Sequence, residues 1–204
     1  MKERGMIFNA EMVRAILDGL KTQTRRIMKP QPEKIEPEDE CGEPGYWIPF
    51  HAGRTMVRNG DMPIACPYGY VGERIWVRET FSTVPDHDEP AGCSAILYAA
   101  DGNWPYGKWT PSIHMPRWAS RITLEITGVR AERLNDISQE DAQAEGMELT
   151  GWRPTYSDPD SGGDYETPYD NFAALWESIY GEESWQANPW VWVIEFRVVT
   201  PGGD

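Results

Sequence analysis

Two segments of this chain, residues 73–81 and 118–133, alternate apolar and polar side chains with the two-residue period of a β-strand. A third segment, residues 190–199, is rich in β-branched and aromatic side chains and is also predicted to be a strand. Helical periodicity is confined to residues 9–19, 138–146 and 169–180, so strands and helices do not alternate as in a parallel α/β fold. The pattern predicts an α+β fold in which a small mixed β-barrel carries peripheral helices.

Two acidic stretches rich in glycine and proline interrupt this pattern. Residues 30–70 and 148–168 have no sustained periodicity, and we expect both to be loop insertions. A short strand is expected at residues 94–100, and residues 22–26 suit either a strand or an extended turn. The full length of 204 residues fits a single domain spanning residues 1–204.

The net charge of −14 argues against general binding of nucleic acid, because the phosphate backbone repels an acidic protein. The charge is uneven along the chain. Residues 1–30 carry seven basic and three acidic side chains, whereas residues 132–187 carry fourteen acidic and two basic ones. A local basic cleft for a nucleoside or RNA therefore stays open, and so does an alternative in which the acidic loops bind a partner protein.

The chain shows no apolar run of membrane-spanning length and no apolar region typical of a secretory signal near its N-terminus. Three widely spaced cysteines fit a reducing compartment better than a disulfide framework. We therefore expect a cytoplasmic protein without a membrane partner. Its oligomeric state stays open.

Five cysteine and histidine residues were considered as zinc ligands. They are Cys41, His51, Cys66, His87 and Cys93. No closely spaced pair of the kind found in zinc sites occurs among them, so we expect neither a metal nor a cofactor. Cys66 is expected to be a small buried apolar residue.

The densest polar cluster follows the first helix. Lys21, Thr24, Arg25 and Arg26 lie within six residues, directly after Gly19. A threonine hydroxyl becomes a nucleophile only when a base removes its proton, and a lysine is such a base only when its pKa is lowered. On spacing alone, a solvated basic turn is the competing interpretation.

The spacing Gly19-x-Lys21-x-x-Thr24-x-Arg26 resembles the G-x-K-x-x-T-x-R signature of the ASCH domain family, which has a PUA-like β-barrel fold. Two later segments are also similar to that family, in the same order. They are residues 141–147, at the end of a helix, and the strand at residues 190–196. Residues 66–79 and 112–118 resemble the phage and prophage branch of the family.

The resemblance implies a cleft for RNA or a modified base. One bacterial member of the family is an amidohydrolase that removes the acetyl group of N4-acetylcytidine, and others are described as ribonucleases. The resemblance implies Thr24 as nucleophile, Lys21 as its base and Glu145 as the group that assists proton transfer. Arg26 or a backbone N–H is expected to stabilise the oxyanion. Taken alone, a glutamate in the position of Glu145 is more often solvated.

Arg25 and Arg26 are candidate contacts to the ligand, and further candidates lie near the middle of the chain. Trp109, His114 and Arg117 combine aromatic and basic groups, as a base-stacking site requires, although the tryptophans of this region also suit a cover over the end of the barrel. Glu79 and Arg78 face opposite sides of a strand, and either one enters the cleft or forms a cross-strand pair. We expect a hydrolase, with a non-catalytic module that binds RNA or modified bases as the alternative.

Overall fold

The computed structural model describes residues 3–35, 46–48, 57–58, 66–85, 95–147 and 167–199. The strands are β1 (Glu3–Ile7), β2 (Gln23–Ile27), β3 (Glu33–Ile35), β4 (Tyr46–Ile48), β5 (Val57–Arg58), β6 (Arg74–Arg78), β7 (Phe81–Thr83), β8 (Ile96–Tyr98), β9 (Thr123–Arg133) and β10 (Trp190–Val199). The helices are α1 (Ala10–Leu17), α2 (Gln139–Ala144) and α3 (Pro168–Tyr180). These bounds confirm the predicted main strands and all three predicted helices.

Five strands form the main sheet in the order β1-β6-β9-β10-β2. β1 runs parallel to β6, and every other neighbour in the sheet is antiparallel. The two edge strands, β1 and β2, contact each other through a side chain. Nη2 of Arg26 on β2 donates to the carbonyl oxygen of Ile7 on β1 at 2.7 Å. In the described residues the fold is thus α+β around a curved sheet, and backbone hydrogen bonds do not close that sheet into a ring.

One face of the main sheet, here called the inner face, carries the larger apolar core. The alternation predicted for β6 is confirmed, because Ile75 and Val77 are buried there while Trp76 is only half-buried. Trp192 and Ile194 of β10 point to the same face. Burying an aliphatic or aromatic side chain of this size stabilises the fold by about 1.5–3 kcal/mol.

α1 covers part of the inner face and delivers the chain to β2. Asn9 caps the helix, because its side chain accepts a hydrogen bond from Met12 N at 2.8 Å. Val13 and Ile16 are buried against the sheet. Gly19 follows with a φ of +74°, a left-handed conformation that glycine adopts without steric cost. The turn therefore ends the helix just before Lys21.

The opposite face of the sheet, the outer face, packs against α3. Thr167 and Asp170 form a capping box that begins this helix. Phe172, Leu175 and Trp176 of α3 pack in a second core with sheet residues that include Val191 and Val193. This packing fixes α3 alongside β2, where the candidate site lies.

Parts of the predicted insertions are ordered into short strands. β3, β4 and β5 form a separate three-stranded antiparallel sheet, so the segment 30–70 is not wholly irregular. Residues 36–45, 49–56 and 59–65 of that segment, and residues 148–166, lie outside the described residues. Among the helices that the structure describes, none is both long enough and apolar enough to cross a membrane.

Candidate functional site

The turn after α1 buries Lys21 by attaching the chain to two helices. The backbone N–H groups of Leu20 and Lys21 donate to Ala15 O at 2.8 and 2.9 Å, and Thr22 N donates to Ala144 O at 2.8 Å. Lys21 also forms an isolated antiparallel bridge with Glu145, the residue that ends α2. The predicted basic turn is therefore not solvated at Lys21, whose side chain is 0% exposed.

A glycine permits this close approach between the end of α2 and the turn. Gly146 has a φ of +97°, a conformation that side chains rarely adopt. A Cβ atom at this position would lie 3.2 Å from Ala15 Cβ and 3.5 Å from Lys21 Cβ. The glycine after Glu145 thus lets the helix end pack directly on Lys21.

The Glu145 carboxylate is held between two buried cations. Lys21 Nζ donates to Glu145 Oε2 at 2.5 Å and to the Glu145 backbone oxygen at 2.9 Å. Arg25 Nη1 donates to Glu145 Oε1 at 3.1 Å. Glu145 is 3% exposed, so the expectation that it is solvated is wrong.

Arg25 extends this ion pair into a larger network. Its Nη2 donates to Asp141 Oδ2 at 2.7 Å and to Glu132 Oε1 at 2.5 Å. Arg130 joins the network from β9, because its Nη2 donates to Asp141 Oδ2 at 2.5 Å and its Nη1 pairs with Glu195. The network is explained by register, since Arg25 and Arg130 both lie opposite Val193 of β10.

Burial and neighbouring charges shift the pKa values of Lys21 and Asp141 in this network. Desolvation by burial lowers the pKa of Lys21 below its ordinary value of 10.5, and the nearby charge of Glu145 offsets only part of that effect. For Asp141, burial raises the pKa, but the Arg25 hydrogen bond and the charges of Arg130 and Arg25 outweigh it and lower the pKa below 3.8. A lysine with a lowered pKa is a candidate general base.

A pocket enclosing about 290 Å³ of space, part of it open to solvent, lies between β2 and α3. It is lined by Met12, Thr24, Arg25, Arg26, Glu145, Phe172, Leu175, Trp176, Ile179 and Tyr180. Three aromatic rings and three aliphatic side chains thus face a threonine, two arginines and a carboxylate. Lys21 lies behind Glu145 and does not line the pocket.

The Thr24 side chain is 2% exposed and makes no hydrogen bond to any other residue that the structure describes. It lies opposite Ile194 in the register of β2 and β10. Its neighbour Arg26 bonds Ile7 O and packs its guanidinium 5.2 Å from the centre of the Phe8 ring, with no carboxylate partner in the described part of the chain. Because cross-strand partners share a face of the sheet, Thr24 and Arg26 lie on the inner face of β2, at the edge of the pocket, while Arg25 faces α3.

The other candidate residues do not line this pocket. Arg117 pairs with Glu3 at 2.8 Å, while Trp109 is half-buried and His114 is exposed in the segment between β8 and β9.

Glu79 is 1% exposed and accepts two hydrogen bonds from Arg121, both at 3.0 Å. Burial raises the pKa of Glu79, and the Arg121 hydrogen bonds counteract this only in part. Glu79 thus pairs with an arginine, but this contact is not the cross-strand pair that the sequence analysis gave as one alternative.

Sequence reasoning missed the outer part of the charge network. The sequence places Asp141 only in the predicted helix and in the segment that resembles the ASCH family, and it places Arg130 and Glu132 only in a predicted strand. A usable signal was present, because Arg130 and Glu132 are two residues apart on β9 and therefore share a face of the sheet. The contact of that face with Arg25 depends on the strand order, which periodicity does not specify.

No group of three or more potential metal ligands of the His, Cys, Asp or Glu type occurs within the residues that the structure covers. Of the five residues considered as zinc ligands, only Cys66 is described, and Cys41, His51, His87 and Cys93 lie outside. Cys66 is buried, as expected of a small apolar residue, and burial raises the pKa of its thiol to about 11.

The lowered pKa of Asp141 predicts a loss of stability in acid. Because its pKa is depressed in the folded state, Asp141 stabilises the protein above pH 3.8, and this contribution disappears as the pH falls through the folded value. We expect Asp141→Asn to be less stable than wild type in urea unfolding at pH 7 and the difference to shrink at pH 3. Asp136→Asn, at an exposed aspartate, is the matched control and should change stability little. A difference that stays constant between the two pH values contradicts this role of Asp141.

No model of a known protein family, no curated protein and no solved structure matches this chain in sequence or structure comparisons.

Proposed function

We propose that this protein is a hydrolase that cleaves the amide of an N-acylated pyrimidine nucleoside, with Thr24, Lys21 and Glu145 as its catalytic residues. The observation that carries the proposal is the buried contact between Lys21 Nζ and Glu145, whose carboxyl group lines a pocket together with Thr24. The motif resembling the ASCH family supports the same three residues. A PUA-like barrel, partly opened at β1 and β2, is the fold that goes with this proposal.

In the proposed reaction, the Thr24 hydroxyl oxygen attacks the amide carbonyl carbon, and its proton passes to the Lys21–Glu145 pair. Arg26, which lines the pocket without a carboxylate partner among the described residues, stabilises the oxyanion. The carbon–nitrogen bond then breaks, and the pair returns the proton to the leaving amine. Water hydrolyses the resulting Thr24 ester to release the carboxylic acid and restore the hydroxyl.

The Lys21 amine suits this exchange because burial lowers its pKa. An amine with a lowered pKa accepts the Thr24 proton more readily than a solvated ammonium group does. Glu145 lies between Lys21 and the pocket, so the proton reaches the amine along this carboxylate.

The lining of the pocket supports a small planar group at its mouth. The free space inside the pocket is about 20 Å³, room for about one water molecule, so the acylated edge of a base would lie at the mouth and the ribose would stay outside. Phe172, Trp176 and Tyr180 offer ring surfaces against which a base can pack.

The test is incubation of the purified protein with N4-acetylcytidine, followed by chromatography for cytidine. We expect cytidine to form with wild-type protein and not with Lys21→Met. A bulkier amide such as N4-benzoylcytidine should react more slowly, because the pocket is small. No product from any N-acylated pyrimidine, with saturable binding of the same compounds, supports the alternative of a non-catalytic module that binds RNA or modified bases.

A partner protein bound through acidic loops is a separate alternative. The loops at residues 148–166 on which it depends lie outside the described residues. Co-purification with a protein, together with no affinity for nucleosides or RNA, would favour it.

A further inference from the structure

The guanidinium of Arg25 contacts three carboxylates, and the proposed reaction uses only one of them. We propose that Arg25 is a positioning residue: it holds the Glu145 carboxylate between the pocket and Lys21, and Asp141 holds Arg25 in turn. This inference rests on the proposed function, but its first readout needs no turnover.

The geometry around Arg25 fixes the guanidinium plane. The Arg25 side chain is 0% exposed, with Nη1 on Glu145 at 3.1 Å and Nη2 on Asp141 at 2.7 Å. Nε and Nη2 both donate to Glu132 Oε1, at 3.1 and 2.5 Å. The Phe172 ring lies 5.7 Å from the guanidinium carbon. A planar group with donors in fixed directions, bonded to three acceptors, has little freedom to turn.

Both oxygens of the Glu145 carboxylate consequently accept from a cation. Oε2 accepts from Lys21 and Oε1 accepts from Arg25. A shift of the carboxylate toward either cation would lengthen its contact with the other, so Lys21 and Arg25 together fix its position.

The charged groups that act on Lys21 all belong to this neighbourhood. Burial lowers its pKa most, Glu145 raises it, and the charges of Arg26 and Arg25 lower it further. Removal of Arg25 takes away a repelling cation and leaves Glu145 Oε1 without its second donor. Both changes make protonation of Lys21 easier.

The test follows the titration of Lys21 by NMR of side-chain-labelled lysine in wild type and in Arg25→Met. The chain has five lysines, so loss of one signal in Lys21→Met assigns the resonance. We expect the midpoint of the Lys21 titration to rise by about one pH unit or more in Arg25→Met. The acid limb of the pH profile of kcat should move in the same direction. Arg121→Met, which removes another arginine that bridges two carboxylates, should leave both unchanged.

An unchanged Lys21 midpoint in folded Arg25→Met overturns the proposal. If Arg25→Met does not fold, Asp141→Asn decides, because it removes one anchor of Arg25: a shift of Lys21 in the same direction supports the proposal, and an unchanged midpoint overturns it. If the midpoint moves but wild type hydrolyses no N-acylated nucleoside, Arg25 keeps its positioning role and the hydrolase proposal alone fails.

Discussion

Glu145→Leu should lower the free energy of unfolding by about 3–5 kcal/mol, and Lys21→Met should lower it by clearly less. The asymmetry follows from the partners that each variant leaves behind. Without Glu145, the fully buried Lys21 amine has no carboxylate partner among the described residues. Without Lys21, Glu145 still accepts from Arg25 at 3.1 Å, so no buried charge is left alone. Urea unfolding at pH 7 measures both values.

The double variant Lys21→Met/Glu145→Leu sharpens this prediction. It replaces the buried pair with apolar side chains of similar size, which is often close to neutral for stability. We expect it to be more stable than Glu145→Leu alone. If Lys21→Met costs as much as Glu145→Leu, the carboxylate is not shared as described.

Thr24→Val should reduce kcat/KM on the proposed substrate by at least about 10³-fold while the fold survives. Valine has nearly the same shape, and the Thr24 hydroxyl has no hydrogen bond to lose to other described residues, so we expect unfolding to change by less than about 1 kcal/mol. Thr22→Val is the matched control, because Thr22 is an exposed threonine of the same motif. Steady-state kinetics of the three proteins, with urea unfolding of each, gives the comparison. A Thr24→Val protein that keeps a tenth or more of wild-type activity would exclude Thr24 as nucleophile.

The main strands were predictable because local pattern and burial agree. β6 alternates in the sequence as it does in the structure, since one side of the strand faces the core. β10 was predicted from its β-branched and aromatic residues, and residues 191–194 are all buried because both faces of this strand are covered. α3 was predicted from the spacing of Phe172, Leu175 and Trp176, which all become buried. For β6 and for α3, one regular spacing of apolar residues identifies the buried face, so no information about distant residues is needed.

The short strands and the shape of the sheet were less predictable. β3, β4 and β5 span only two or three residues each, which is too few to establish a period. The meeting of the two sheet edges depends on curvature accumulated over five strands and on one bond from Arg26 to Ile7. The sequence therefore indicated a sheet-based α+β fold, while the barrel stays part of the proposal.

The motif at residues 19–26 indicated one part of the candidate site. The other parts come from segments that lie far away in the sequence. Lys21 and Glu145 are 124 positions apart, and only the family resemblance connected them before the structure showed their contact. Arg25 was considered as a ligand contact, but its buried bonds to Glu132 and Asp141 depend on which strands are neighbours. The aromatic residues of the pocket lie in the segment of helical periodicity at residues 169–180, and such spacing marks a buried face without distinguishing packing from a pocket.

The most direct test of the account is a crystal structure of Thr24→Val with N4-acetylcytidine. We predict that the acetyl group lies in the pocket between β2 and α3, with its carbonyl carbon against residue 24 and its oxygen toward Arg26. A nucleoside bound instead near Trp109 and Arg117, or a pocket that stays empty at saturating nucleoside, would contradict the proposed site.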